Sequence, residues 1–345
     1  MHLLITGVAG FIGANAADQL LAQGHQVSGI DDLNDYYDPS LKTARLTKLL
    51  EYNQFQFTQA GIQEPGVLYG IFRKNPIDVV IHLAAQAGVR YSINNPRVYL
   101  ESNVVGTFEL LEAARKNPPK HMLLASTSSA YGADTDMPYR ETQKADHQMS
   151  FYAATKKATE TMAHSYAHLY KLPITMFRFF TVYGPWGRPD MAPMKFAKRI
   201  LSGSPIDVYN HGAMKRDFTY VDDLVHALSL LLNKAPGKTP VSNTFDSLSP
   251  VAPFRVVNIG NNSHIELQDF IAILEQEIGE KAIQNMMDMQ PGDVPETWAD
   301  TRLLQALTGY SPTTDLRKGV KSFIKWYLDY YRDTISINRS IKSSV

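Results

Sequence analysis

The chain has 345 residues, in which 34 Lys and Arg balance 34 Asp and Glu, and it contains no cysteine. The balanced charge, without a basic run, argues against nucleic acid or an anionic membrane as a partner, and the lack of cysteine excludes disulfides, thiolate metal sites and cysteine catalysis. Because no apolar run approaches about eighteen residues and the chain starts with a strand instead of a signal peptide, we expect a soluble cytoplasmic protein without a membrane span.

The first apolar strand, over residues 3–6, runs into three glycines at three-residue spacing, Gly7, Gly10 and Gly13. Gly7 permits a tight turn, Gly10 lets a pyrophosphate approach the N–H groups of the next helix, and Gly13 lets that helix pack close to the sheet. An amphipathic stretch follows over residues 11–23. This pattern predicts a dinucleotide-binding turn.

A second predicted strand, residues 26–30, ends in Asp31 and Asp32, roughly twenty residues after the glycines. At this position an acid binds the ribose hydroxyls of the adenosine. Since no arginine stands beside the acids to hold a 2′-phosphate, we predict NAD as the cofactor instead of NADP.

Strands and helices then alternate. Strands are predicted over residues 54–59, 78–85 and 121–125, and helices over residues 40–50, 97–116 and 151–170. This alternation is typical of a doubly wound parallel α/β sheet, a Rossmann fold, in which ligands bind beyond the carboxyl ends of the strands. Small residues such as Ala84 and Ala85 at a strand end leave room for a ligand.

Beyond residue 185 the alternation becomes looser and predicts a smaller lobe that closes over the cofactor domain. Its helices are predicted over residues 193–202, 221–233, 266–278 and 318–331, and its strands over 206–209 and 255–259. We therefore predict an NAD-binding domain over residues 1–185, a substrate-binding lobe over 186–333 with some chain crossing back, and a poorly ordered tail over 334–345.

Tyr152 and Lys156 stand one helical turn apart on the helix predicted for residues 151–170. A tyrosine with a pKa near its ordinary value of about 10 is a poor base, but a neighbouring ammonium and an oxidised nicotinamide stabilise its phenolate. The hydroxyl cluster at residues 126–129 follows another predicted strand. Glycine turn, hydroxyl cluster and Tyr/Lys pair, in this order, predict a catalytic site.

These motifs resemble the extended short-chain dehydrogenases/reductases that act on nucleotide sugars, from residue 3 to about residue 331. Within that family, the chain is most similar to the UDP-glucuronate 4-epimerases. This likeness is carried by residues 31–38, 88–92, 180–189 and 290–294.

The resemblance implies reversible, NAD-dependent 4-epimerisation of UDP-glucuronate to UDP-galacturonate through a 4-keto sugar. It implies that Tyr152 takes the proton of the C4 hydroxyl, that Lys156 lowers the pKa of this tyrosine and binds the nicotinamide ribose, and that Thr127 hydrogen-bonds the C4 oxygen. The hydride leaves C4 and returns to its opposite face, so NAD is regenerated in each cycle.

The resemblance also implies two sets of binding residues. The residues expected to bind NAD, besides Tyr152 and Lys156, are Gly7, Gly10, Phe11, Ile12, Gly13, Asp31, Asp32, Asn34, Ile62, Leu83, Ala84, Ala85 and Asn103. The residues expected to bind the substrate are Arg90, Thr127, Ser128, Ser129, Thr181, Arg188, Arg216 and Asp293. Among these, Arg216 and Arg188 are expected on the diphosphate, Arg90 near the sugar and Asp293 on the uridine ribose.

Two positions depart from the family pattern. Gln290 stands where UDP-galactose epimerases carry an arginine, which leaves one phosphate cation unassigned. Gly61 stands where the family usually has an aspartate for the adenine amine, so looser binding of NAD is expected.

The residues that follow Thr127 help to choose among related reactions of this family. Ser128 and Ser129 replace the Asp-Glu pair of a 4,6-dehydratase and argue against that elimination. Together with Thr181 they are neutral donors that we expect to hold the sugar carboxylate. Because the 4-keto sugar is a β-keto acid, we expect this restraint to protect it from decarboxylation. The alternatives are a 4-epimerase of the UDP-glucose/UDP-galactose type, a UDP-glucuronate decarboxylase, and a non-enzymatic protein that only binds the dinucleotide.

The resemblance implies a homodimer in which the helices over residues 97–116 and 151–170 pair across a two-fold axis. His164 and His168 share a helical face, but no glutamate follows His164 as in a zinc protease. We therefore expect surface or interface histidines and no metal site.

Overall fold

The computed structural model describes residues 1–332, 334 and 335. The remainder of the predicted tail, residues 336–345, lies outside the described residues. The strands, numbered in chain order, are β1 (His2–Thr6), β2 (Gln26–Asp31), β3 (Phe55–Gln59), β4 (Val79–His82), β5 (His121–Thr127), β6 (Ile174–Phe179), β7 (Thr181–Tyr183), β8 (Ile206–Tyr209), β9 (Lys215–Arg216), β10 (Phe218–Tyr220), β11 (Phe254–Ile259), β12 (Ile265–Glu266), β13 (Gln284–Met287) and β14 (Glu296–Thr297).

The helices flank these strands and connect most of them. They are α1 (Phe11–Ala22), α2 (Pro39–Leu49), α3 (Val67–Lys74), α4 (Tyr91–Asn94), α5 (Pro96–Tyr99), α6 (Gly106–Lys116), α7 (Phe151–Tyr170), α8 (Ala192–Ser202), α9 (Val221–Leu231), α10 (Leu267–Ile278), α11 (Arg302–Thr308) and α12 (Leu316–Tyr330). In the part of the chain that the structure describes, no helix combines the length and the apolar character that crossing a bilayer requires.

A parallel sheet of seven strands forms the centre of the molecule, in the order β11-β6-β5-β4-β1-β2-β3. Its central strands are apolar runs that are buried on both faces, as parallel strands covered by helices are. The strand order reverses between β1 and β4, and ligands of doubly wound sheets bind at this point. The predicted Rossmann-like fold is confirmed.

Each face of the sheet has its own hydrophobic core. One core packs α1, α2, α9 and α11 against the sheet, and the other packs α3, α6 and α7. A third core belongs to the smaller lobe and holds α8, α10 and α12 together around the stacked rings of Phe218 and Phe270, which lie 4.3 Å apart.

The chain returns to the main sheet after residue 185. Strand β11 pairs in parallel with β6, and α9 packs on α1. The two ranges predicted as domains, 1–185 and 186–333, therefore share one sheet.

Element ends differ from the predictions where local hydrogen bonds redirect the backbone. Strand β4 stops at His82 because the N–H groups of Leu83 and Ala84 both donate to Thr6 Oγ1, at 3.1 Å each. Strand β5 continues to Thr127 because Ser126 and Thr127 still pair with β6. The helix predicted over residues 97–116 is interrupted by a π-helical turn, Leu100–Val105, beside the cofactor groove.

The Pro-rich stretch over residues 236–253 packs on α7. His164 Nε2 lies 2.8 Å from Ser249 Oγ, and His168 Nδ1 lies 2.8 Å from the Val251 carbonyl oxygen. These two histidines hold the stretch against the helix.

Candidate active site

The turn after β1 requires its glycines. Gly7 has φ +69°, and a Cβ on it would lie 2.7 Å from the Ala84 nitrogen at the end of the neighbouring strand. A Cβ on Gly13 would overlap the Gly7 carbonyl oxygen. Only glycine lets the turn, the strand end and the helix approach one another this closely.

Gly10 is the N-cap of α1, and no side chain of the described residues caps this helix. Its first N–H groups, from Phe11 onward, therefore keep donors for an anion, and the helix dipole adds a positive charge at the same point. The helix thus offers free N–H donors at the point where the sequence predicts binding of a pyrophosphate.

The adenosine end of the site is acidic but also carries a cation. Asp31 is buried and accepts hydrogen bonds from the N–H groups of Ala9, at 3.1 Å, and Leu33, at 2.9 Å. Asp32 accepts from the Asn34 side chain at 2.8 Å, and Lys42 Nζ donates to Asn34 Oδ1 at 2.9 Å. Burial lowers the pKa of Lys42 despite the charges of the two acids. No local pattern in the sequence indicated Lys42.

Gln63 lines the wall of the groove where the adenine is expected, and no pattern in the sequence indicated this residue. Gly61 donates its N–H to Glu64 Oε1 at 2.6 Å, and a Cβ on Gly61 would lie 2.5 Å from Gln63 Nε2. Ala60, Ile62 and Gln63 line the groove here. An amide from Gln63 thus occupies the space that a side chain at residue 61 needs.

One groove connects these parts and crosses the carboxyl ends of the sheet. Its space amounts to about 1120 Å³, part of it open to solvent. The predicted cofactor residues that line it are Gly7, Gly10, Phe11, Ile12, Gly13, Asp31, Asp32, Asn34, Ile62, Leu83, Ala84, Ala85, Tyr152 and Lys156.

Unlike these residues, Asn103 does not line the groove and is buried behind its wall. Its Nδ2 donates to the Gln86 carbonyl oxygen at 3.1 Å and to Thr155 Oγ1 at 3.0 Å, and its Oδ1 accepts the Gln86 N–H at 2.8 Å. The Asn103 amide therefore fixes Gln86, which itself lines the groove.

Tyr152 and Lys156 lie in the first turns of α7, which Ser150 caps by accepting the Ala153 N–H at 3.1 Å. Burial raises the pKa of the Tyr152 phenol, while its hydrogen bond with Thr127 and the charge of Arg188 oppose that rise. Burial lowers the pKa of Lys156 to about 8. The structure thus brings Thr127, at the end of β5, to the Tyr152–Lys156 pair on α7.

Arg188 lines the groove near the Tyr152 phenol. Its Nε and Nη2 donate to Asp190 at 3.1 and 2.5 Å, and Tyr36 donates its hydroxyl to Asp190 at 3.2 Å. Although burial opposes it, the Asp190 carboxylate raises the pKa of Arg188. The guanidinium is thus a fixed cation in the part of the groove that Tyr152 and Lys156 line. Asp190 and Tyr36 were not identified from the sequence.

A second cluster joins Arg90, Arg216 and Asp293. Arg90 Nη2 lies 2.7 Å from Asp293 Oδ2, and its guanidinium stacks 3.9 Å from the Tyr209 ring centre. Arg216 donates to the carbonyl oxygens of the loop that carries Asp293, at 2.7 and 3.0 Å. Burial lowers the pKa of Arg216, and the Asp293 charge opposes this effect. No pattern in the sequence indicated that Tyr209 belongs to this cluster.

Ser128, Ser129 and Thr181 follow the ends of the paired strands β5 and β6. Thr127 pairs with Phe179, the two serines follow Thr127 in a 3₁₀ turn, and Thr181 follows Phe179 by two residues. Ser129 donates its N–H to Thr127 Oγ1 at 3.2 Å. The three hydroxyl-bearing residues thus follow the ends of two adjacent strands.

Residues 4–323 match the family model described as GDP-mannose 4,6 dehydratase. Protein CapI of Staphylococcus aureus is 50% identical over 334 residues, which are 96% of this chain and 100% of CapI. A protein of Rhizobium meliloti (strain 1021) named "Probable UDP-glucuronate 4-epimerase" is 49% identical over 335 residues, 96% of this chain and 98% of that protein.

A solved structure also matches. The crystal structure of UDP-glucuronic acid 4-epimerase from Bacillus cereus, in complex with UDP-glucuronic acid and NAD, has a TM-score of 0.84. It is 32% identical, and the match covers 96% of this chain and 100% of that one.

Proposed function

We infer the function from one premise: the chain belongs to the GDP-mannose 4,6-dehydratase family. Relatives named UDP-glucuronate 4-epimerase match nearly the whole chain, and the B. cereus enzyme binds UDP-glucuronic acid and NAD on the same fold. The chain is an NAD-dependent UDP-glucuronate 4-epimerase that interconverts UDP-glucuronate and UDP-galacturonate. The observation that carries this function is the Tyr152–Lys156 pair beside Thr127, with neutral hydroxyls at the adjoining strand ends.

The groove fits NAD at both ends. The uncapped N-terminus of α1 and the bare glycine turn suit its pyrophosphate, and Asp31 and Asp32 suit the hydroxyls of its adenosine ribose. Lys156, which also lines the groove, would bind the nicotinamide ribose. When bound, NAD+ accepts a hydride from the sugar C4 and returns it to the opposite face.

Tyr152 moves the proton of the reaction. Its phenolate takes the proton of the C4 hydroxyl as hydride leaves C4, and the same proton returns to the C4 oxygen when hydride comes back. Thr127 donates to the C4 oxygen, while the positive charge of Arg188 favours the phenolate. No net oxidation results, since each cycle returns both proton and hydride to the sugar.

We propose that Ser128, Ser129 and Thr181 hold the sugar carboxylate. The 4-keto intermediate is a β-keto acid, which loses carbon dioxide when its C5–carboxylate bond stands perpendicular to the carbonyl plane. Hydrogen bonds from these neutral hydroxyls keep that bond near the plane, so cleavage loses overlap with the carbonyl. This restraint does not require a positively charged side chain beside the carboxylate.

The experiment that tests the function is NMR of the purified protein with UDP-glucuronate and NAD+. We expect anomeric signals of UDP-galacturonate to appear without a UDP-pentose and without release of carbon dioxide. A UDP-pentose product would instead make the protein a decarboxylase. Turnover of UDP-glucose but not of UDP-glucuronate would assign it to the neutral-sugar epimerases.

We further propose that the protein acts as a cytoplasmic homodimer. The surface of α5, the π-helical turn, α6 and α7 exposes apolar side chains, including Val98, Val105, Phe108 and Leu169. Such a patch is costly on a monomer and suits a symmetric helix interface. Light scattering during gel filtration should give twice the chain mass, and Phe108→Glu should yield a monomer. Wild-type protein that elutes with one chain mass would contradict the dimer.

A further inference from the structure

Arg45, in α2, joins two loops that approach the groove from different parts of the chain. Its side chain is buried, and its Nη1 donates to the Ala9 carbonyl oxygen at 3.1 Å and to the Tyr37 hydroxyl at 2.8 Å. Its Nη2 donates to the carbonyl oxygens of Trp186 at 2.5 Å and Gly187 at 3.2 Å. One guanidinium thus contacts residues 177 positions apart in the sequence.

The partners of Arg45 are carbonyl oxygens and a phenol, not a carboxylate. Its buried Nε has no hydrogen-bond partner among the described residues. Burying a guanidinium with partial compensation costs free energy, and an apolar side chain of similar volume is a cheaper way to fill such a space. Packing alone does not explain an arginine at this position. A guanidinium whose donors bond to two different loops does explain it.

On one side, Arg45 fixes the phosphate-binding turn. Ala9 lies between Gly7 and Gly10, its N–H donates to Asp31 at 3.1 Å, and its carbonyl oxygen accepts from Arg45. Both polar backbone atoms of Ala9 are therefore held by charged side chains. The position of the turn depends on Arg45 as well as on the acid at the end of β2.

On the other side, Arg45 fixes the loop that carries Arg188. Trp186 has φ +64°, in the left-handed region that a bulky residue adopts only at a cost in free energy. This conformation directs two successive carbonyl oxygens at one guanidinium. The Trp186 ring packs on Trp326 and Tyr330 of α12, each 5.3 Å away. Arg188 follows two residues later and points into the groove.

We propose that Arg45 is a positioning residue that locks the phosphate-binding turn to the Arg188 loop, so that retention of NAD and binding of the nucleotide sugar depend on each other. The expected effect on substrate binding rests on the proposed function, which supplies the substrate. The expected effect on NAD retention does not. Arg45 does not line the groove itself, and it acts through Ala9 on one side and through Trp186 and Gly187 on the other.

The test compares Arg45→Met, which keeps an unbranched apolar side chain but loses the charge and the donors, with Arg45→Lys, which keeps the charge but loses the guanidinium fork. The matched control is Lys48→Met, on the same helix, whose ammonium bonds to Asp18. For each holoenzyme we would measure the NAD dissociation rate, kcat and KM for UDP-glucuronate, and the thermal midpoint. We expect Arg45→Met to raise both the NAD dissociation rate and KM by about tenfold, as loss of charged hydrogen bonds does.

Arg45→Lys should give intermediate values, and Lys48→Met should match the wild type. If Arg45→Met folds poorly, Arg45→Lys still tests the proposal, because its charge and packing remain. A lower thermal midpoint with NAD dissociation and KM both within about twofold of wild type would overturn it and make Arg45 merely structural.

A double variant tests the route through the loop. Asp190→Asn weakens the anchor of Arg188 and is expected to raise KM, and to raise the NAD dissociation rate less than Arg45→Met does, because the bond of Arg45 to Ala9 remains. Combined with Arg45→Met, it should raise KM less than the product of the two single effects, because both act on one loop. Fully multiplicative effects would contradict this route. Should the wild type fail to turn over UDP-glucuronate, the proposed function fails, whereas the NAD dissociation rates still decide the role of Arg45.

Discussion

Glu160, one helical turn beyond Lys156 on α7, forms a buried ion pair with Arg178. Arg178 Nε and Nη2 donate to the two carboxylate oxygens at 2.8 and 2.7 Å, and both side chains are at most 5% exposed. Ser126, which lines the groove, donates its hydroxyl to the same carboxylate at 2.6 Å. The pair therefore ties β5, β6 and α7 together beneath Tyr152 and Lys156.

Glu160→Gln should destabilise the protein by about 3–5 kcal/mol, because it leaves the Arg178 guanidinium buried without a counter-charge. Urea unfolding measures this change. The double variant Glu160→Gln/Arg178→Met should be less destabilised than the single one, since no unpaired charge remains. Lys281→Gln, at an ion pair whose lysine is exposed, is the control and should cost about 0–1 kcal/mol. Equal losses from the buried and exposed pairs would contradict the assignment.

Tyr152→Phe should lower kcat by about 10²–10⁴-fold, because the C4 hydroxyl loses its proton acceptor. NAD content and thermal midpoint should stay near those of the wild type, since the phenol's direct partner is Thr127. Tyr170→Phe, at the exposed end of the same helix, is the control and should retain full activity. Full turnover by the Tyr152 variant would assign the proton transfer to another group.

Glu141 predicts a pH dependence of stability. Burial raises its pKa to about 8, although the Asn258 N–H donates to its Oε1 at 2.8 Å. The folded protein therefore binds a proton that the unfolded chain releases above its ordinary pKa. This stabilisation is fully present below the unfolded value and is lost as pH rises through about 8.

Glu141→Gln keeps the acceptor oxygen and removes the titration. Relative to the wild type, it should be nearly neutral near pH 4 and increasingly stabilising as pH rises towards about 8. Thermal midpoints of both proteins across this range measure the difference. A difference that is independent of pH, or that falls as pH rises, would show that Glu141 is ionised in the folded protein.

Asp32→Asn should weaken the preference for NAD over NADP. A 2′-phosphate is repelled by the acids at the end of β2, and the variant leaves the Lys42 ammonium less neutralised. We expect the ratio of NADP to NAD affinity to rise by about five- to tenfold, as one charge near the protein surface allows. Glu51→Gln, exposed beyond the end of α2, is the control. Titration of each apoprotein with both cofactors gives the ratio, and an unchanged ratio for Asp32→Asn would argue against electrostatic selection.

Replacing Ser128 or Thr181 with alanine should increase release of carbon dioxide from UDP-glucuronate. Each change removes one of the hydroxyls at the ends of β5 and β6 that are proposed to hold the carboxylate, so the carboxylate is less restrained. The measured quantity is the ratio of UDP-pentose to UDP-galacturonate by NMR, with Ser249→Ala, far from the groove, as the control. An unchanged ratio in both variants would contradict the role of the neutral hydroxyls.

The features set by short stretches of sequence were predictable. Helix α7 spans the predicted residues 151–170, because its apolar period and its serine cap are local. The predicted Rossmann-like fold follows in the same way from the alternation of elements. Where a distant side chain competes for the backbone, as Thr6 does at the end of β4, the predicted strand end was wrong by three residues.

The sequence by itself determined the glycine turn, the acids after β2 and the helical spacing of Tyr152 and Lys156, because each depends on neighbours within one or two turns of chain. Only the tertiary structure decided that Arg188 lies near Tyr152, that Arg45 joins Ala9 to Trp186, and that Glu160 pairs with Arg178. These contacts join elements far apart in the chain. Packing of the sheet and its helices selects them, and no local propensity encodes that selection.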